Sequence, residues 1–211
     1  MIIAIDGPAA AGKGTLARRL AQHLNFAYLD TGLIYRAVSK KVLILGGSPD
    51  DAAMAETEAW AMQPEDLNLE GLRTDEVAQA ASKVSAVPGV RAALLKFQRD
   101  FAAHPPDGKV GSVLDGRDIG TVVCPDARHK LFVTASMEVR AERRVKELQD
   151  RGLRAIYARV FEDMKERDAR DIERAVSPLE PAKDANTLDT SDLDADQVFQ
   201  AALDLIGSPG K

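Results

Sequence analysis

The chain has 211 residues, of which 45% are hydrophobic and 29% charged, and its formal net charge is −5. This length suits one domain, or one domain with an insertion, and the acidic balance argues against nucleic acid or anionic membranes as partners. A single cysteine, Cys124, excludes an internal disulfide and fits a reducing cytoplasm. The three histidines lack the spacing of a zinc site. We expect no signal peptide and no membrane span, since no apolar run approaches about 20 residues.

Five short apolar segments, separated by helical patterns, predict an α/β fold. The predicted strands are Ile2–Asp6, Phe26–Leu29, Gly111–Asp115, Lys130–Thr134 and Ala185–Asp189. The predicted helices are Gly14–Leu24, Leu33–Leu45, Asp50–Met62, Thr74–Val84, Val90–Ala103, Met137–Arg151, Ile156–Ala175 and Asp194–Leu205. Continuous rather than alternating apolar strands are typical of strands covered on both faces. The alternation therefore predicts a mainly parallel five-stranded sheet flanked by helices.

The long segment between the second and third strands is the irregular part of this pattern. Most of it has helical periodicity, so we interpret residues 46–104 as an insertion in a single domain spanning 1–211. Leu67 and Leu69 alternate in the polar connection 63–72, which suggests a small strand there. The last residues, 207–211, predict a frayed end.

The segment that joins the first strand to the first helix has the spacing of a phosphate-binding loop. Its glycines let the backbone wrap around an anion, and its main-chain N–H groups and the helix N-terminus point at phosphates. Lys13 adds a full positive charge, and the Thr15 hydroxyl is expected near a nucleotide-bound Mg²⁺. Gly14 occupies the place where the general pattern has Ser or Thr, so Thr15 is expected to reach the ion through water. The predicted ATP-type site consists of Gly7, Pro8, Ala9, Ala10, Ala11, Gly12, Lys13, Gly14 and Thr15; the alternative is a flexible turn.

Polar side chains also follow the second and third strands, where open α/β sheets bind ligands. After the second strand, Arg36 suits an acceptor's phosphate, and Thr31 is either a substrate contact or the cap of the next helix. After the third strand, Asp115 suits Mg²⁺ held through water. Arg117 and Asp118 are either ligand-binding residues or ordinary charge partners in a loop.

Three charged residues on a predicted helix complete the pattern. Arg167, Asp171 and Arg174 stand at i, i+4 and i+7, so they share one helix face. Arginine forks suit a multi-phosphate transition state, although the balanced charges of this region also fit a solvated helix with ion pairs. Many arginines, with no histidine near the strand ends, favour an acceptor that is itself a phosphate, because such an oxygen needs no base.

Five sequence blocks are similar to one family. They are IDGPAAAGKGT at 5–15, LDTGLIYR at 29–36, RTDEVAQAASKVSAVPGVR at 73–91, DGRDIGTVVCPDA at 115–127 and KERDARDIERAVSPLEPA at 165–182. On these blocks the chain resembles the bacterial cytidylate kinases. The resemblance implies a P-loop core, a monophosphate-binding insertion (46–104), a short lid (about 148–166), and transfer of the γ-phosphoryl group of ATP to CMP or dCMP with Mg²⁺. Many relatives have a small antiparallel sheet in the insertion, for which 63–72 is short.

The resemblance also implies roles for individual residues. The expected catalytic residues are Lys13, Arg117, Arg167 and Arg174. The expected acceptor-binding residues are Thr31, Arg36, Ser82, Arg91, Asp118 and Asp171, and the expected metal-associated residues are Thr15 and Asp115. Ser82, Arg91 and Asp118 would contact cytosine, and Asp171 the sugar hydroxyls. A carboxylate or hydroxyl accepts a hydrogen bond from the exocyclic amino group of cytosine, where uracil has a carbonyl.

Two alternatives remain open from the sequence. One is a kinase for another small acceptor, such as UMP or shikimate. The other is a nucleotide-dependent switch or binding module, although no Asn-Lys-x-Asp guanine-binding motif is present. We expect a cytoplasmic monomer whose partners are small nucleotides.

Overall fold

Five parallel strands form the central sheet of the computed structural model, which describes residues 1–207. The strand order is β2-β3-β1-β4-β5. The strands are β1 (Ile2–Asp6), β2 (Ala27–Asp30), β3 (Ser112–Gly116), β4 (His129–Thr134) and β5 (Asn186–Asp189). Each begins and ends within one residue of its predicted bounds, and the predicted fold class is confirmed. Because all strands run in one direction, their carboxyl ends meet at one edge of the sheet.

Eight helices surround the sheet in the described part of the chain. They are α1 (Lys13–Leu24), α2 (Thr31–Ile44), α3 (Ala52–Trp60), α4 (Asp75–Val84), α5 (Pro88–Ala103), α6 (Met137–Asp150), α7 (Tyr157–Ile172) and α8 (Ala195–Gly207). A short π-helical turn, Ile119–Val123, follows β3. Residues 208–211, part of the predicted frayed end, lie outside the described residues.

The segment 63–72 contains no strand, and the prediction of one is wrong. It forms a 3₁₀ helix over Pro64–Asn68. Proline suits a first helical position, where no N–H is needed, and the Asp66 side chain accepts a hydrogen bond from the main-chain N–H of Gln63 at 3.0 Å. This local capping favours the helical turn over the strand that the alternation of Leu67 and Leu69 predicts. The side chains of both leucines pack against the core.

Two apolar clusters pack on the two faces of the sheet. Along β1, Ala4 belongs to one cluster, which includes residues of α2, α3 and α5, and its neighbours Ile3 and Ile5 belong to the other, which includes residues of α1 and α8. This alternation is the period of two that a strand imposes. Strands buried on both faces account for the continuous apolar runs in the sequence.

The segment between α2 and β3 contributes α3 and α5 to one of these clusters, whereas α6 and α7 pack mainly on each other. The chain between α2 and β3 contains α3, the 3₁₀ helix, α4 and α5. Helices α6 and α7 share a small apolar cluster of their own, which includes Leu148 and Met164. No helix within residues 1–207 combines the length and apolar character needed to cross a bilayer.

Candidate active site

The loop between β1 and α1 has the backbone shape of an anion cradle. Gly7 has φ +143°, and a Cβ built there would lie 1.9 Å from the carbonyl oxygen of Val133 on β4. Only glycine fits this close approach. Ala10 and Gly12 have φ +58° and +90°, so the chain turns back before α1 begins at Lys13. The free N–H groups at the start of α1 therefore face the space that the loop encloses.

Lys13 is buried at the edge of this loop. Its Nζ donates a hydrogen bond to the carbonyl oxygen of Pro8 at 2.6 Å. Burial, followed by the nearby charge of Arg117, lowers the pKa of Lys13 to about 7, while the carboxylates of Asp115 and Asp6 act in the opposite direction. An anion in the loop would restore the full charge of this ammonium group.

One cavity brings together most of the residues predicted from the sequence. It lies at the carboxyl edge of the sheet and is lined by residues of the P-loop helix, the two strand ends, α4, α5 and the α7 region. Among them are Lys13, Thr31, Arg36, Ser82, Arg91, Asp115, Arg117, Asp118, Arg167, Asp171 and Arg174. A second cavity is lined by Ala9 and Ala10 and shares Lys13, Arg36, Arg117 and Arg167 with the first. The two cavities therefore meet at the P-loop lysine.

The inner end of the first cavity is built around a buried ion pair. Arg91 donates through Nη2 to the carboxylate of Asp118 and through Nη1 to the carbonyl oxygen of Ser85 at 3.2 Å. Its guanidinium lies 5.5 Å from the centre of the Tyr35 ring. The Ser82 hydroxyl also lines this end and accepts a hydrogen bond from Arg170 at 3.2 Å. A carboxylate, a hydroxyl and a guanidinium thus face a small, partly aromatic space, which suits a polar planar ring.

The arginines near the mouth of the cavity are held by one carboxylate. Asp171 accepts a hydrogen bond from Arg117 Nε at 2.9 Å and lies 3.9 Å from Arg174 Nη1. Although burial works against it, the charges of Arg117, Arg167 and Arg174 keep the pKa of Asp171 below its usual range. Burial, and then the charge of Arg117, lowers the pKa of Arg167 to about 10. The three guanidinium groups of Arg117, Arg167 and Arg174 therefore surround a single carboxylate, so this part of the cavity has a net positive charge.

Several guanidinium nitrogens in this cavity are buried without a hydrogen-bond partner. They are Arg91 Nε, Arg167 Nε, Arg174 Nε and Arg174 Nη2. Buried donors are almost always satisfied in native proteins, so a cluster of unsatisfied ones needs an explanation. Phosphate oxygens are the acceptors that a group of converging arginines fits best. The cavity has the donors for a polyanion.

The residues that follow β2 and β3 do not make the local contacts, a helix cap or a loop ion pair, that the sequence left open as alternatives. Thr31 does not cap α2, since its hydroxyl donates instead to the carbonyl oxygen of Asp115 at 2.8 Å. Arg117 and Asp118 do have charge partners, but these are residues of α7 and α5 rather than local neighbours. Arg36 lines the cavity and donates to the carbonyl oxygen of Leu72 at 3.0 Å, which ties α2 to the insertion.

Asp115 and Thr15, predicted to share an Mg²⁺ ion, line different cavities. Thr15 is exposed and lines a third cavity with Arg143 and Thr190. Asp115 lies in the first cavity, where a Cβ built on Gly14 would be 3.4 Å from its Oδ2. Its Oδ1 accepts a hydrogen bond from the Tyr28 hydroxyl at 3.3 Å, and burial, followed by the charge of Asp30, raises its pKa to about 6.

Sequence reasoning missed three buried polar residues near the site. Asp6 accepts two main-chain hydrogen bonds, and Arg140 on α6 pairs with Asp168 on α7 at 2.6 Å. Arg140 also donates to the carbonyl oxygen of Ala9 in the P-loop at 3.4 Å. Asp6 lies in the segment 5–15 that resembles the family, but nothing in the local sequence distinguishes Arg140 or Asp168 from the many other charged residues of their helices.

A parallel sheet with a phosphate-binding loop after its first strand and arginines at its carboxyl edge defines a P-loop protein of the phosphotransferase type. The family model for cytidylate kinase matches residues 3–208. A cytidylate kinase from Paramagnetospirillum magneticum is 70% identical over 98% of this chain and 98% of the relative. One from Rhodospirillum rubrum is 59% identical over 98% and 97%. The chain belongs to the cytidylate kinase family.

A solved structure agrees with the fold. The crystal structure of an uncharacterized protein from Eubacterium ventriosum has 16% sequence identity to this chain and a TM-score of 0.57, with 99% of each chain covered. At that identity the likeness supports the fold alone.

Proposed function

We propose that this protein transfers the γ-phosphoryl group of ATP to CMP or dCMP, giving ADP and the corresponding diphosphate. The observation that carries the proposal is the group of buried, unsatisfied guanidinium nitrogens facing Lys13 across one cavity. Two nucleotides that meet at their phosphates repel each other, and converging arginines offset that repulsion. Membership of the cytidylate kinase family supports ATP as the donor and a small nucleotide as the acceptor.

In this proposal the P-loop binds the donor. Main-chain N–H groups of the loop after Pro8 and of the N-terminus of α1 donate hydrogen bonds to the phosphate oxygens, and Lys13 moves from the carbonyl oxygen of Pro8 to the β and γ phosphates. The transferring phosphoryl group needs positioning and charge stabilisation rather than a side-chain nucleophile. Arg117 and Arg167, which line both the first and the second cavity, stabilise the charge that develops between donor and acceptor.

The acceptor occupies the first cavity. Asp118 accepts a hydrogen bond from the exocyclic amino group of cytosine, and Ser82 and Arg91 contact the remaining polar edge of the ring. Asp171 receives the sugar hydroxyls. Arg36 and Arg174 bind the acceptor phosphate, and Thr31 lines its path. Within this cavity UMP presents a carbonyl oxygen to Asp118, so we propose that it is a poor acceptor.

The residues present fit a magnesium ion that is shared with the nucleotide. Among residues 1–207 no three His, Cys, Asp or Glu side chains form a cluster that could hold a metal by themselves. Mg²⁺ usually keeps several waters and takes only one or two carboxylates together with substrate phosphates. Asp115, buried beside Lys13, is the carboxylate that would hold it through water, and the ion would neutralise phosphate charge.

We also propose how the enzyme is organised. The insertion at 46–104 is the acceptor-binding part, and residues near 148–166 form a lid that excludes water when both nucleotides are bound. We further propose that the protein is a monomer and that it works in the cytoplasm, where a free buried thiol such as that of Cys124 stays reduced.

A panel of acceptors tests the proposed function. Purified protein is incubated with ATP, Mg²⁺ and one of CMP, dCMP, UMP, AMP or shikimate, and ADP release is followed by a coupled assay. We expect turnover with CMP or dCMP at least about tenfold above the others. Faster turnover with UMP or shikimate would overturn the assignment of the acceptor. Slow hydrolysis that no acceptor stimulates would indicate a switch or binding module instead.

A further inference from the structure

The carboxylate of Asp6 contacts the chain segment that follows β3, next to the acceptor cavity. It is the last residue of β1, lies directly before Gly7 and is only 4% exposed. In the sheet it pairs with Gly116 of β3 on one side and Phe132 of β4 on the other. The residue therefore sits where the P-loop begins and where the chain leaves β3.

Both carboxylate oxygens of Asp6 are used. Oδ1 accepts from the main-chain N–H of Ile119 and Oδ2 from that of Gly120, both at 2.7 Å. These N–H groups begin the π-helical turn, whose own main-chain bonds satisfy only later N–H groups, such as those of Val122 and Val123 on the carbonyl oxygen of Asp118. A carboxylate that accepts two N–H groups is a strong and directional partner.

The segment that Asp6 holds directly follows two of the residues that we propose contact the nucleotides. Arg117 and Asp118 immediately precede Ile119, and both line the first cavity. The geometry points to Asp6 as a positioning residue that fixes Arg117 and Asp118, and through them the acceptor base and phosphate, at a set distance from the P-loop. This inference rests on the proposed function, which it deepens by adding a specificity-determining contact outside the cavity lining.

The proposed role of Asp6 requires its carboxyl group to be ionised. Burial raises the pKa of Asp6 to about 6; the negative charge of Asp118 acts in the same direction, while the two N–H groups and Lys13 act against it. The carboxylate form thus predominates above neutral pH. The space is tight, since a Cβ built on Gly120 would lie 3.3 Å from Asp6 Oδ2 and 3.2 Å from Lys130 Cδ.

Asp6→Asn tests the inference, because an amide keeps the size but replaces one acceptor oxygen with a donor that faces an N–H group. We expect the KM for CMP to rise about tenfold or more and the preference for CMP over UMP in kcat/KM to fall several-fold. The KM for ATP should change less than the KM for CMP, since Asp6 acts on Lys13 only through its charge and accepts its two hydrogen bonds from Ile119 and Gly120 rather than from the P-loop. Gly120→Ala presses on the same contact from the other side, and we expect a smaller change of the same kind.

A control separates positioning from general stability. Leu20→Ala removes a fully buried side chain from the apolar cluster that does not contain Ile119, and it lowers the melting temperature without changing a residue that lines the first cavity. At a temperature where all variants are folded by circular dichroism, Leu20→Ala should keep the wild-type KM for CMP and the CMP/UMP ratio.

Three results would overturn the inference. In the first, Asp6→Asn and Gly120→Ala leave both the KM for CMP and the CMP/UMP ratio unchanged. In the second, Leu20→Ala shifts them equally. In the third, Asp6→Asn and Asp6→Glu both fail to fold while Leu20→Ala folds, which would give Asp6 a structural role only. The wild-type acceptor profile, measured in parallel, tests the proposed function independently of these variants.

Discussion

The buried ion pair between Arg91 and Asp118 gives the sharpest test of how the site is built. The two side chains are 6% and 7% exposed. Removing one partner of such a pair leaves an uncompensated buried charge, which typically costs about 3–5 kcal/mol, whereas replacing both partners with apolar residues is often neutral. We therefore compare Arg91→Met, Asp118→Leu and the double variant.

The structure indicates how much stability Arg91→Met should lose. In Arg91→Met, the carboxylate of Asp118 keeps a favourable interaction with the nearby charge of Arg174, so we expect a loss near the lower limit, about 3 kcal/mol. For a chain of this length that corresponds to a fall of roughly 6–12 °C in melting temperature. The double variant should recover most of this stability and still phosphorylate CMP poorly, because only Ser82 remains of the three residues that we propose contact the base.

Urea unfolding followed by far-ultraviolet circular dichroism is the suitable assay. The single tryptophan, Trp60, is 64% exposed on α3, so its fluorescence is a poor reporter of the core. The double-mutant cycle yields the coupling free energy of the pair. The reasoning is refuted if Arg91→Met costs less than about 1 kcal/mol, or if the two single losses simply add in the double variant.

Three further predictions follow from the P-loop. Lys13→Ala should lower kcat by at least about 10²-fold in the coupled ADP assay, with unchanged circular dichroism; near-normal turnover would contradict the phosphate cradle. Gly7→Ala should prevent stable folding, because its Cβ would lie 1.9 Å from a carbonyl oxygen. The control is Gly46→Ala, which also has a positive φ but has nothing within 4 Å of its Cβ, and it should lower the free energy of unfolding in urea by only about 1–2 kcal/mol. The lowered pKa of Lys13, about 7, means that binding an anionic phosphate draws a proton onto its ammonium group. Calorimetry should therefore show proton uptake when ADP binds without metal between pH 7.5 and 9, and affinity that weakens as the pH rises; pH-independent binding would exclude Lys13 as the partner.

The sheet and the P-loop were predictable from the sequence because both have strong local signals. Strands covered on both faces give continuous apolar runs, and the loop's glycines and lysine have a fixed spacing next to a strand. The residues after the second and third strands could be assigned to the same edge because parallel strands end together. Local pattern and topology were sufficient to place Lys13, Thr31 and Asp115 at the same edge of the sheet, where they line one cavity.

Other parts of the site needed information that a single sequence does not hold. Ser82 and Arg91 lie on helices of the insertion, and helical periodicity does not say which polar position of a helix faces the cavity. They entered only through the family resemblance. The partners of Arg117 and Asp118 lie on distant helices, and balanced charge runs leave many pairings open. Thr15 was assigned by its spacing from Lys13, but the helical rotation at the start of α1 turns it toward another cavity.

The long sequence separations within the sheet have a consequence for how the protein is made. Gly7 packs on Val133, and the strand before the P-loop pairs with β3 and β4, which lie far along the chain from it. The loop therefore has no sheet to pack against until the chain as far as β4 has been synthesised, and such closure of distant contacts slows folding. Until then β1 is an apolar strand without its neighbours, and exposed segments of this kind are prone to aggregation and are bound by chaperones.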